Sequence, residues 1–310
     1  MGCPFRKRLV PEPASLVADL AEWQPRCTFD TSGALITCAV SGGADSLALL
    51  ALAAATGAPV HAVHVDHSQR AGGDTEAAIV EAAADSVGAT FTSETVAVEG
   101  PHNLEARLRS ARYAVLGPSA CTGHTADDQA ETVLINLMRG AGIRGLGAMQ
   151  PGPRRPILAL RRSDTERICE CLGWEPVVDP TNTEPTFVRN RVRLELMPLL
   201  SDIAGRDVGP ILARSADHHR HAAAALDAAA SALDPTSAVD IANAPQAVAA
   251  TALQEWIRRE LDSDYPIDTE SVERVLSVAR GENVAAEVNG GHRVQRSQQR
   301  LSVVHRPPNT

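Results

Sequence analysis

Of the 29 basic residues in this 310-residue chain, only one, Lys7, is a lysine. A Walker phosphate loop needs a lysine directly after its last glycine, so that nucleotide site is excluded. Aromatic residues make up 3% of the chain against 44% hydrophobic residues, so the cores must be built from Ala, Leu, Val and Ile. The six cysteines, Cys3, Cys27, Cys38, Cys121, Cys169 and Cys171, lack the spacing of a disulfide framework and read as reduced and mostly structural. No apolar run approaches a membrane span, and Arg6-Lys7-Arg8 leads into Pro11 and Pro13 rather than a signal-peptide core. The expected setting is the cytoplasm, without membrane attachment. The length suits two domains, each with its own core.

What is present is concentrated in one turn. Between the apolar run Leu35–Val40 and the helical stretch Leu47–Leu52 stands Ser41-Gly42-Gly43-Ala44-Asp45-Ser46. Adjacent glycines open backbone torsions closed to other residues, and the helix behind them directs free N–H groups at an anion. Asp45 repels phosphate, so its carboxylate makes chemical sense as a ligand of magnesium that bridges to the phosphate oxygens. The glycines are adjacent rather than spaced as G-x-G-x-x-G, which excludes a dinucleotide fingerprint. SGGADS resembles the pyrophosphate loop of the N-type ATP pyrophosphatases, a superfamily that cleaves ATP between its α and β phosphates.

Strand and helix patterns alternate along the first half. Strands are expected at 35–40, 60–65, 89–98 and 119–122, and helices at 47–52, 74–87, 103–116 and 126–138. Such alternation predicts an α/β fold, a Rossmann-like parallel sheet with helices on both faces, followed by a smaller, mainly helical domain with a C-terminal hairpin around Asn289-Gly290-Gly291. The expected division is 1–30 as an N-terminal extension, 31–200 as the ATP-binding catalytic domain and 201–310 as a helical accessory domain.

Ligands in such sheets bind at the carboxyl ends of the strands. His64 and Asp66 share one face of the second strand and are candidates for nucleotide contact. Gly123-His124-Thr125-Ala126-Asp127-Asp128-Gln129-Ala130-Glu131 begins a helix with Thr125 as N-cap. Asp127 and Glu131, four residues apart, are expected on one face, able to receive an ammonium group or a metal ion, with Asp128 on another. From Arg139 to Arg193 ten arginines face six acids, a local +4 in a chain of net −9, and phosphate backbones need such local patches.

SGGADS, HVDHSQR, Asn103–Arg107 leading to Arg112-Tyr113, and GHTADDQAETVLINLMRGAGIRGL together resemble the tRNA(Ile)-lysidine synthetase family. The likeness continues through Arg155-Pro156-Ile157-Leu158, Asp179-Pro180-Thr181-Asn182 and Arg189-Asn190-Arg191-Val192-Arg193 to Met197-Pro198-Leu199. It implies a ligase that uses ATP to adenylate the ring carbonyl oxygen of the wobble cytidine in the isoleucine tRNA bearing a CAU anticodon. Free L-lysine then attacks through its ε-amine, and lysidine, AMP and pyrophosphate result. Carried onto this chain, Ser41, Gly42, Gly43, Ala44, Asp45, Ser46, His64 and Asp66 bind ATP, and Asp45 holds Mg2+. Asp45, Arg112, His124, Asp127 and Glu131 form the catalytic set, and Arg154, Arg155, Arg189, Arg191 and Arg193 contact tRNA. Longer members carry a further C-terminal domain, so the resemblance is to a short form. The alternatives weighed are a tRNA thiolation enzyme with the same loop, an amide-forming ligase of the NAD or GMP synthetase type, and a non-catalytic tRNA-binding protein.

Overall fold

A computed structural model describes residues 13–30, 32–66, 73–96, 107, 114–177, 187–263 and 267–305. It divides into two compact units, 1–217 and 218–310. The expected helix at 103–116, with Arg112, lies almost entirely outside the described residues, as do His67 and Asp179–Asn182.

The first unit is organised by three parallel strands, β1 (Ile36–Ala39), β2 (Val60–Asp66) and β3 (Thr90–Thr95), in that order across the sheet. Helix α1 spans Pro13–Asp19, α2 spans Ala44–Ala54 and α3 spans Gly73–Ser86. The segment expected as a fourth strand is a single parallel bridge, Cys38 to Cys121, on the side of β1 away from β2. Its backbone is nonetheless paired: Ala39 N–H donates to Cys121 O and Cys121 N–H to Thr37 O, at 2.9 and 2.8 Å. The chain therefore leaves β1 toward β2 but returns at Cys121 on its other flank. That reversal opens a crevice at the carboxyl end of β1, where a ligand can enter.

Helix α2 shows how a core with few aromatics is filled. Every residue from Ser46 to Ala53 is buried, and from Leu47 to Ala53 the helix is apolar all round. It is enclosed between the sheet and α5 (Arg162–Leu172), and Leu47, Leu49, Leu50 and Leu52 fill the space among Ile36, Cys38, Ile157, Leu160 and Ile168. Residues 1–30 were expected as an extension, yet Leu16, Leu20 and Trp23 are buried members of this same core. Helix α4 (Ala126–Met138) and the helical segment 188–204, which contains a π turn at Val192–Leu196, complete the surroundings of the crevice.

Helix α6 (Gly209–Ser231) crosses the division between the units. The second unit packs α7 (Ala238–Asn243), α8 (Gln246–Glu260) and α9 (Thr269–Arg280) around Leu253, Trp256, Ile257, Val275 and Leu276. An antiparallel sheet, β4 (Ala285–Val288), β5 (His292–Ser297) and β6 (Arg300–Val304), adds Val288, Val294 and Leu301 to that core. The expected Asn289–Gly291 turn joins β4 to β5. Among the described residues no helix is long and apolar enough to cross a membrane.

Candidate active site

The phosphate turn is built by its glycines. Gly42 has φ +84°, the left-handed region, and a Cβ there would stand 3.1 Å from Val177 Cγ2, while its carbonyl accepts the Val177 N–H at 2.9 Å. Gly43 is the N-cap of α2 and supplies no side-chain cap, which leaves the first-turn N–H groups available to an anion. Ser46 braces the turn: its Oγ accepts the Ser41 N–H at 3.1 Å and donates to Gly43 O at 2.9 Å. His64 is buried, and its Nδ1–H donates to Val40 O at 2.9 Å, tying β2 to the residue that enters the turn. Its Nε2 is buried with no partner among the described residues, an acceptor open to a ligand donor. Asp66 ends β2, half-buried.

Asp45 lies in the first turn of α2. Its Oδ1 accepts from Thr165 Oγ1 at 2.5 Å and its Oδ2 is 3.7 Å from Arg162 Nε. Burial pushes its carboxyl up to about 6, against the opposing hydrogen bond from Thr165. The motif around His124 is brought to the same place by Gly123. A Cβ on Gly123 would be 2.7 Å from the Asp45 carbonyl oxygen and 3.0 Å from Ser46 N, so only glycine lets this strand end touch the start of α2. His124 Nδ1 pairs with Thr122 Oγ1 at 2.8 Å.

The acids that follow are sorted differently from the helical-face expectation. Thr125 caps α4 in a reciprocal box with Asp128, whose Oδ2 accepts the Thr125 N–H and hydroxyl at 2.8 and 3.0 Å. Asp127 turns away to α5: Arg161 grips it with Nε and Nη2 at 2.9 and 2.7 Å, and the Arg162 N–H donates to it at 2.8 Å. It therefore caps the N-terminus of a neighbouring helix, and Arg161 in turn reaches Asp207 at 2.8 Å. Burial works against ionisation of Asp127, but Arg161 and the Arg162 N–H outweigh it and hold the carboxyl below the usual range.

Glu131, 2% exposed, shares its surroundings with Asp128 instead. Arg189 Nε and Arg193 Nε donate to Glu131 at 2.9 and 2.7 Å, and Arg189 Nη2 to Asp128 Oδ1 at 3.0 Å. Arg162 Nη2 stands 3.4 Å from Asp128 and 3.5 Å from Glu131. Burial disfavours the charged Asp128, yet Arg189, the Thr125 N–H and Arg162 hold it ionised below the usual carboxylate range. Asp45, Asp128 and Glu131 thus face Arg162, Arg189 and Arg193 in one charge-balanced cluster beside the phosphate turn. Buried carboxylates exist only with such partners.

Of the arginines expected on tRNA, Arg189 and Arg193 are engaged inside this cluster, Arg191 pairs with Glu195 on the exposed side, and Arg154 is exposed. Arg162 and Thr165 were not anticipated as site residues. Their only sequence signal was membership of a basic stretch, because their contacts with Asp45 span 117 to 120 positions of chain. Among the described residues no group of three His, Cys, Asp or Glu side chains could hold a metal. The donor set still fits magnesium: Mg2+ in nucleotide sites takes one or two carboxylates plus substrate phosphates, and Asp45 offers hard oxygen donors at the mouth of the turn.

An uncapped diglycine turn at the switch point of a parallel sheet defines a PP-loop nucleotide-binding protein, and the PP-loop domain family matches residues 19–200. The chain also resembles a U34-tRNA thiolase from Methanococcus maripaludis in fold, with TM-score 0.50 and 14% identity over 66% of this chain and 78% of that one. The tRNA(Ile)-lysidine synthase of Nocardia farcinica is 40% identical over 276 residues, covering 83% of this chain and 86% of its own. That of Rhodococcus erythropolis is 42% identical over 72% and 73% of the two chains, and that of Mycobacterium tuberculosis 40% over 72% of each. The chain belongs to the tRNA(Ile)-lysidine synthase family of ATP-using ligases. This membership sets aside the thiolation, amide-ligase and non-catalytic alternatives.

Proposed function

We propose that this chain uses ATP to activate the wobble cytidine of the CAU-anticodon isoleucine tRNA and joins free L-lysine to it, in the cytoplasm. The observation that carries the reading is the contact through Gly123, which sets a phosphate turn against a cluster of buried carboxylates. A cytosine carbonyl oxygen is a poor leaving group until it is adenylated, so activation and attack must share one crevice. The turn Ser41–Ser46 receives the phosphates on its N–H groups, and His64 Nε2 accepts a donor of the nucleotide. Asp45 is the ligand for Mg2+, which when bound neutralises phosphate charge and orients the pyrophosphate leaving group.

The lysine side of the site is best served by Asp128 and Glu131, whose carboxylates lie together, and Asp127 orients α5 through Arg161. An ammonium group entering there takes over hydrogen bonds now made by Arg189 or Arg193. The released guanidinium has phosphate available as its new partner. His124 and Arg112 are assigned to the charge that develops on the adenylated base. Arg154, Arg155 and Arg191 are assigned to the tRNA backbone.

The test combines purified protein, ATP, Mg2+, radiolabelled lysine and unmodified isoleucine tRNA with a CAU anticodon. Label should enter tRNA only when ATP is present, and replacing the wobble cytidine should abolish it. No incorporation beside an active control enzyme removes the reading. The Asp45→Ala variant should lose incorporation while retaining tRNA binding.

A further inference from the structure

Thr165 belongs to none of the nucleotide motifs, yet it makes the shortest contact of the phosphate turn's carboxylate. Its side chain is fully buried in the first turns of α5, where that helix packs on α2. Oγ1 is 2.5 Å from Asp45 Oδ1 and 2.8 Å from the Arg162 carbonyl. A hydroxyl has one proton, and an ionised carboxylate is the stronger acceptor, so the proton goes to Asp45. A helical threonine can satisfy itself on a carbonyl one turn back, and Arg162 O offers that bond here. The contact with Asp45 is therefore beyond what local satisfaction requires.

The rest of the geometry leaves Asp45 little freedom. Arg162, three residues before Thr165, approaches the other oxygen with Nε at 3.7 Å. The Asp45 backbone is backed by Gly123 at a distance no side chain could occupy. In a helix the β-branched Thr165 has two favoured rotamers, and the 2.8 Å approach of Oγ1 to Arg162 O marks the one it holds, facing Asp45.

We propose that Thr165 is a positioning residue for the nucleotide step, its hydroxyl fixing the Asp45 carboxylate in the orientation that meets the magnesium–phosphate group. This rests on Asp45 being the magnesium ligand of the proposed reaction. The rigid donor supplies in advance the alignment that a lone aspartate at a helix start has to find on binding.

The experiment measures the affinity of the full chain for α,β-methylene ATP by calorimetry, with and without Mg2+. The parent should gain affinity with Mg2+, and Thr165→Val, which keeps shape and loses the donor, should forfeit about tenfold of that gain. Its Mg2+-free affinity should not change, and Thr165→Ser should restore most of the loss. Should the valine variant not fold, Thr165→Ala carries the same expectation. A variant with the parent's full Mg2+ gain, an equal loss with and without Mg2+, or a parent with no gain overturns the proposal. Lysine attachment separates the two ideas: a parent that binds the Mg2+ analogue but modifies no tRNA removes the functional reading and leaves Thr165's role standing.

Discussion

Gly123 illustrates how a residue with no side chain can decide an active site. In sequence it is only the first letter of a motif, and its neighbours His124 and Thr125 offer the visible chemistry. A Cβ 2.7 Å from the Asp45 carbonyl would meet backbone that cannot move aside. Gly123→Ala should therefore cost about 1–3 kcal/mol in a urea melt, and it should reduce lysine attachment more than stability, because α2 must shift from the acid cluster. The carboxylates make the complementary point. Helical spacing alone grouped Asp127 with Glu131, whereas the arginines of other elements group Asp128 with Glu131 and leave Asp127 to α5. Side-chain direction at the start of a helix follows the partner within reach, and those partners lie 31 to 65 residues away. Arg161→Ala should leave Asp127 half-buried without its bidentate partner and destabilise the first unit by about 1–3 kcal/mol, read from the same melts.

Among the elements, α2 and α5 pack directly against each other and carry Asp45, Arg162 and Thr165. Leu50 is fully buried in a helix apolar all round from Leu47 to Ala53, so Leu50→Ala should cost about 2–5 kcal/mol in chemical unfolding. The pairing of α5 with the segment before β1 runs through Asp164. It accepts from Trp23 Nε1 at 3.3 Å, Arg26 Nη2 at 2.9 Å and the Arg161 N–H at 2.7 Å. Burial opposes its charge, but the Arg161 N–H and Arg26 outweigh burial and lower its pKa in the folded chain. A lowered carboxyl stabilises the fold fully above its unfolded value of about 3.9 and loses that contribution as pH falls through the lower folded value. Urea midpoints of the parent should thus fall below about pH 4, with a weaker fall in Asp164→Asn. Trp23 fluorescence reports the transition. The strand and helix alternation was readable because period and glycine punctuation are local properties. The fourth strand was not, since Cys121 contributes one bridge whose existence depends on β1 being beside it.

For the molecule as a whole, charge is distributed against its net value. The chain carries a formal −9, and the arginines between 139 and 193 are proposed as its local answer to a polyanionic tRNA. The structure separates them into two sets. Arg193 is committed to Glu131, while Arg154 is exposed. Salt dependence of tRNA binding measures the difference: Arg154→Ala should lower the log–log slope by about 0.7–0.9, one phosphate contact, between about 50 and 200 mM salt. Arg193→Ala should leave the slope unchanged and reduce lysine attachment instead.

By itself the sequence determined the phosphate turn, the α/β alternation, the C-terminal hairpin and the family, because each is written in neighbouring residues whose torsions and spacing obey local rules. The tertiary structure decided which acids stand together, which arginines face inward, and that Thr165 meets Asp45. Those are contacts between helices far apart in the chain, and their geometry follows from how α2, α4 and α5 pack at the end of β1.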